Sequence, residues 1–190
     1  NQAIAGLKKW EPTATTSIGE QFFARGFVEL QLASDFCNGI PLSDGAAVPV
    51  VYGQPQTVNQ VFTIAIASFD SAITSIGSAT DTASVALARA ARVGKARAQV
   101  GLNQIDAAAA TVAGIPTTFA HRSLFSLTTQ TNTIWGQGQS SLRYTVGDSL
   151  QGNQRNIVVT NALPFATLND PRLPVTKRTT AGQDGQTFMN

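Results

Sequence analysis

Apolar residues recur at helical spacing along the chain as far as Pro116, and the spacing then disappears. Phe23, Phe27 and Leu30 stand at i, i+4 and i+7 with Phe22 beside them, the arrangement of one buried helix face. Ser17-Ile18-Gly19-Glu20 has the form of a capping box, and Asn38-Gly39-Ile40-Pro41 supplies a stop, so a helix is expected from Ile18 to about Phe36. A stretch with three prolines and three glycines follows from Asn38 to Gln56, and it reads as a surface loop with a turn at Ser43-Asp44-Gly45.

The clearest periodicity comes next. Thr57-Val58-Asn59-Gln60 is a second capping box, and Val58, Val61, Phe62, Ala65, Phe69, Ala72, Ile73 and Ile76 follow it at helical spacing. Gly77 closes that helix, Asp81 or a neighbouring threonine caps another running to Gly101, and Leu102-Asn103-Gln104 leads into a last one from Ile105 to Ala113. Gly114-Ile115-Pro116 ends it, because proline lacks the donor and restrains the residue before it. Four helices then fall into two antiparallel pairs.

Beyond Pro116 the chain is Thr-, Ser-, Gln-, Asn- and Gly-rich with scattered aromatics. Only short β-prone runs survive, at Leu142 to Val146 and Ile157 to Thr160. The expected fold is mainly α, a single domain in which residues 18–116 form the scaffold and a loop-rich segment, 117–190, packs on it.

Composition narrows the function. Charged residues make up 13% of the chain against 43% hydrophobic, which argues against disorder. A net charge of +2, from 13 bases and 11 acids, builds no field that would draw a nucleic acid. Cys37 is the single cysteine, so neither an internal disulfide nor a cysteine-based zinc cluster is expected. No apolar run is long enough for a transmembrane helix. The start at Asn1 reads as that of a processed or truncated chain.

Catalytic chemistry finds little purchase. His121, the one histidine, lies just after the last helix, where a structural or surface role fits it. No Gly-x-Ser-x-Gly elbow is present to anchor a hydrolase. Gly136-Gln137-Gly138-Gln139 lacks the third glycine and the preceding strand of a nucleotide loop. Arg89, Arg92 and Lys95 line one helix edge and read as a solvated face or a protein contact rather than a phosphate site. Asp44, Asp148, Asp170 and Asp184 each adjoin Gly or Pro, as turn residues do, and none sits in a calcium-loop pattern. Neither a metal nor a cofactor is expected.

Two segments share a local pattern. Phe69-Asp70-Ser71-Ala72-Ile73 and Ile105-Asp106-Ala107-Ala108-Ala109 both place an apolar residue before Asp and a small residue two positions after it. Ala86, Leu87, Ala90, Ala91, Gly94, Ala98 and Gly101 share one side of the intervening helix, where small residues admit a close neighbour; Arg97, near that side, must find a partner or snorkel. The run Arg97-Ala98-Gln99-Val100-Gly101-Leu102-Asn103-Gln104-Ile105-Asp106-Ala107-Ala108 is similar to the tetratricopeptide-like segment of SusD/RagB outer-membrane lipoproteins. Val112 to Phe119, Arg25 to Ala33 leading into Gly39-Ile40-Pro41-Leu42, and Leu163-Pro164-Phe165 through Asn169 to Pro174 resemble the same family in the same order. Family members are longer and begin at a lipidated cysteine, which Cys37 is not, so an internal fragment is expected.

The resemblance implies a non-enzymatic module on the outer face of an outer membrane. It would capture oligosaccharide or another nutrient for a SusC-type TonB-dependent transporter, with a lipid anchor outside this chain. Sugar capture asks for aromatic rings beside polar side chains. Trp135 with Gln137, and Tyr144 with Arg143, meet that description; Tyr52 with Gln54 and Trp10 with Glu11 meet it less fully. The rival expectation is a self-assembling secreted or surface protein without a small ligand, which the low charge also suits.

Overall fold

The computed structural model describes residues 1–44, 49–126, 128, 131–141, 143, 151–152, 158–159, 164 and 167–172. The chain divides into two compact units, Asn1–Arg122 and Ser123–Asn190. It is mainly helical, as the hydrophobic spacing predicts.

In the first unit α1 (Gln2–Trp10), α2 (Thr15–Asp35), α3 (Val58–Ile76), α4 (Thr82–Gly101) and α5 (Ile105–Val112) follow one another. Two short strands, β1 (Ile40–Pro41) and β2 (Pro55–Gln56), join α2 to α3. The central helix is α3, which packs against both α2 and α4; α2 also meets α4, and α5 rests on α4.

The ends of these helices follow from local chemistry. The Thr57 box forms in full: Thr57 Oγ1 accepts from Gln60 N–H at 3.2 Å while Gln60 Oε1 accepts from Thr57 N–H at 2.7 Å. Asp81 Oδ1 accepts from Ser84 N–H at 2.9 Å and starts α4. The Ser17 box does not form. Helix α2 begins a few residues earlier, after Ala14 and without a side-chain cap, so Ser17 already lies in its first turn. Helix α1 lies ahead of the first helix expected from the sequence and buries only Ile4.

The expected loop between α2 and α3 contains a small antiparallel ladder. Ile40 pairs with Gln56 and Pro41 with Pro55, and a bridge between Asp44 and Val51 extends it. Ile40 is buried and pins the ladder to the core, while Asn38 Oδ1 accepts from Val58 N–H at 2.8 Å where α3 begins.

Phe69 occupies the middle of the core. It is fully buried, with Gly26 of α2 on one side and Gly94 of α4 on another. A Cβ built at Gly26 would lie 3.1 Å from the ring, and one built at Gly94 would overlap it. Gly101 stands in the same relation to Phe62, with 2.5 Å from an added Cβ to Cζ. The absent side chains on α2 and α4 therefore make the room that the α3 phenylalanines fill.

Cationic side chains on α4 tie the helices together. Arg92 donates from Nε to Thr111 O at 2.8 Å and from Nη2 to Ala113 O at 2.7 Å, covering carbonyls at the end of α5. Lys95 Nζ reaches Asp70 Oδ1 of α3 at 2.7 Å. The edge read as a solvated face thus spends two of its cations on neighbours within the unit. Arg97 is exposed and donates to Gln31 at 3.4 Å.

In the second unit Asn132 caps α6 (Thr133–Trp135), which continues into a π-helical turn at Gly136–Ser140. Strands β3 (Gln151–Gly152) and β4 (Val158–Val159) pair antiparallel. Asp170 accepts three bonds from the Arg172 guanidinium, two of them shared by Nε, and one from its backbone N–H, as a turn residue does.

Candidate functional site

The candidate ligand residues are divided between the two units: Trp10 and Tyr52 belong to the first, Trp135, Gln137 and Arg143 to the second. Trp10 ends α1, about three-quarters exposed, with Lys9 Nζ 4.6 Å from the ring centroid. Tyr52 is 80% exposed, between Val51, which bridges to Asp44, and Gly53, whose N–H reaches Ser43. Trp135, Gln137 and Arg143 belong to the second unit, where Arg143 N–H donates to Gln137 O at 2.8 Å and Trp135 is 54% exposed. Gln137 Oε1 is buried without a hydrogen-bond partner among the described residues. Tyr144 lies outside the described residues. His121 packs edge-on against Phe23, with ring centroids 5.0 Å apart, in keeping with a structural role.

The first unit holds a cleft of about 830 Å³ that the sequence does not announce. Its polar wall is Asn1, Gln2, Arg25, Glu29, Ser43 and Asp44; Leu32, Leu42 and Ile64 are among its apolar residues. Four segments build it, the first being the start of α1 with Gln2 and Ala3. Helix α2 carries Arg25, Glu29 and Leu32 on one face at spacings of four and three, α3 contributes Ile64, and the chain after β1 contributes Leu42 to Asp44.

A fixed polar network lies at its base. Ser68 Oγ, fully buried on α3, donates to Glu29 Oε2 at 2.5 Å and accepts from Arg25 Nε at 3.0 Å. The Arg25 Nε stands 3.6 Å from Glu29 Oε1, and its Nη1 donates to Asn1 Oδ1 at 3.3 Å. The guanidinium also covers the Phe22 ring at 5.1 Å. Burial raises the Glu29 carboxyl above the ordinary glutamate value, against the pull of the Ser68 hydroxyl and the Arg25 charge. With Ser68 on one oxygen and Arg25 near the other, Glu29 is an oriented acceptor rather than a free base.

The opposite wall is held by the extended ladder. Gly53 N–H donates to Ser43 Oγ at 3.2 Å, and Asp44 exchanges backbone bonds with Val51 at 2.9 and 3.3 Å. Tyr52 stands between those two anchors in the chain, and its exposed ring is not among the residues that line the cleft. A side chain at Gly53 would collide with the Leu42 backbone, which keeps this approach close. Beyond Ile64 lies a shallower groove of about 360 Å³, lined by Gln56, Asn59, Gln60, Thr63 and the same isoleucine.

Sequence reasoning missed Arg25, Glu29 and Ser68 as a set. A cation and an anion four apart on an apolar helix face are a visible signal, but their partner is 39 residues beyond Glu29. Among the described residues no group of three or more His, Cys, Asp or Glu is placed to hold a metal ion, and no helix is long and apolar enough to cross a membrane. Comparison with protein-family models, with curated proteins and with solved structures finds no match to this chain.

Proposed function

We propose that this chain is a non-enzymatic capture module for oligosaccharide or another nutrient at the outer-membrane surface, delivering it to a SusC-type TonB-dependent transporter. The observation that carries the reading is the cleft between α2, α3 and the Ser43–Asp44 wall. It combines oriented donors and acceptors with apolar residues and an exposed tyrosine in the adjoining ladder. Sites of this size with few, well-placed polar groups suit small-ligand binding, and fixing those groups on packed helices lowers the ordering cost of association.

The colinear resemblance to SusD/RagB proteins supplies the setting: the outer face of the membrane, a lipid anchor beyond this chain, and a transporter as the receiving partner. Capture and delivery make and break no bond. Titration of the 190-residue chain with glycans, read by quenching of Trp10 and Trp135, tests the reading. Saturable quenching supports it; absence of any saturable response from a folded chain defeats it.

A second reading, self-assembly without a small ligand, draws on the second unit. Leu124 is 87% exposed there, Ile134 75% and Leu168 63%. Apolar side chains left in water favour association where they cluster. Light scattering separates the two, because particle growth without added glycan favours assembly.

A further inference from the structure

Resting on the capture reading, we propose that the ligand is an uncharged, hydroxyl-rich oligosaccharide laid across Ile64, one end in the Arg25–Glu29 cleft and the other along the Gln56–Thr63 groove.

Three observations carry this. Ile64 lines both depressions, so they meet at one apolar side chain. A ridge of this kind suits the C–H face of a sugar ring, with polar groups to either side for its hydroxyls.

The second observation is the charge. Among the described residues Arg25 carries the one cationic side chain in the cleft's lining, and its Nε stands against Glu29 while Nη1 is held by Asn1. Asp44 adds a second carboxylate to the wall. A ligand carboxylate would share Arg25 with Glu29 in a wall that already carries two carboxylates, which is an adverse juxtaposition. A hydroxyl meets no such penalty: it donates to a carboxylate oxygen or accepts from Arg25 Nη2, which has no partner among the described residues.

Among the described residues the groove beyond Ile64 has no ionisable side chain in its lining. Amides and a hydroxyl make its polar edge. Some of that capacity is already committed, since Gln60 Oε1 closes the α3 capping box and Thr63 Oγ1 donates to Asn59 O at 2.8 Å. The Asn59 side chain remains, exposed on the rim.

Isothermal titration of the 190-residue chain with neutral gluco-, manno- and xylo-oligosaccharides, oligogalacturonate and chitosan oligomers tests the proposal. At least one neutral series should bind, more tightly as it lengthens from two to four sugars. The charged oligomers should bind at least about tenfold more weakly. Ile64→Ala should weaken the tetrasaccharide about tenfold and abolish the gain with length. Asn59→Ala, at an exposed rim position away from the core, should weaken the tetrasaccharide while leaving the disaccharide unchanged.

Neutral glycans that bind both variants as they bind the original chain overturn this site while leaving capture standing, and a preference for either charged oligomer overturns the ligand class. No binding of any glycan by a folded chain overturns the capture reading itself, and this inference with it.

Discussion

Gly94→Ala offers a direct test of how the helices nest. In an open helix position, replacing glycine by alanine gains up to about 1 kcal/mol from backbone entropy. At Gly94 the added Cβ overlaps the Phe69 ring and stands 2.6 Å from Cε1. The ring has little room to retreat, since Gly26 lies against it from α2 at 3.1 Å and the side chain is fully buried. Forcing a methyl into such packing costs about 1–3 kcal/mol. The overlap is severe enough to place this case near the top of that range, leaving a net loss of about 1–2 kcal/mol after the helix gain. Gly6→Ala is the control, because nothing lies within 4 Å of its Cβ and α1 should gain stability. Urea unfolding of the full chain reads both. Phe69→Leu should make the Gly94→Ala change less costly, a coupling visible in a double-mutant cycle. A Gly94→Ala variant at least as stable as the original chain would refute the packing argument.

Other predictions concern the polar network and the last helix. Ser68→Ala removes the hydroxyl that donates to Glu29 at 2.5 Å, so it should cost about 1–3 kcal/mol in unfolding free energy and raise the Glu29 carboxyl further. Glu29 has its folded value raised above the ordinary 4.5, so its contribution to stability is greatest below that value and declines as pH rises through the folded value. Glu29→Gln should flatten that decline in thermal unfolding; an unchanged pH profile contradicts it. Arg92→Ala should release the Thr111 and Ala113 carbonyls and speed amide hydrogen exchange in α5 more than in α3.

The parts of the fold legible in the sequence are those governed by local rules. Helix α3 shows itself through its capping box and apolar stripe, and its buried apolar residues, Val61, Phe62, Ala65, Phe69, Ala72 and Ile76, all belong to the predicted face, while the buried Ser68 does not. The start of α2 was less legible, because Ser17 and Glu20 satisfy the spacing of a box while the backbone turns helical before them. The ladder from Ile40 to Gln56 escaped reading because two prolines occupy its short strands. Two of the cations read as a solvated edge, Arg92 and Lys95, bind α5 carbonyls and Asp70, contacts that exist only once the helices pack.

The candidate site was the least legible feature. Aromatic rings in polar sequence drew attention to Trp10, Tyr52 and Trp135, and of the two in the first unit only Tyr52 adjoins, along the chain and its backbone bonds, residues of the described cleft. Arg25, Glu29 and Ser68 form a site only after α2 meets α3, and neither helix alone carries the pattern.

Backbone chemical-shift mapping during titration with a neutral tetrasaccharide tests the central claim most directly. Saturable shifts should concentrate at Arg25, Glu29, Ser43, Tyr52 and Asn59, leaving α5 and the second unit still. A ligand that shifts only resonances beyond Arg122, or a folded chain whose spectrum no nutrient changes, would contradict it.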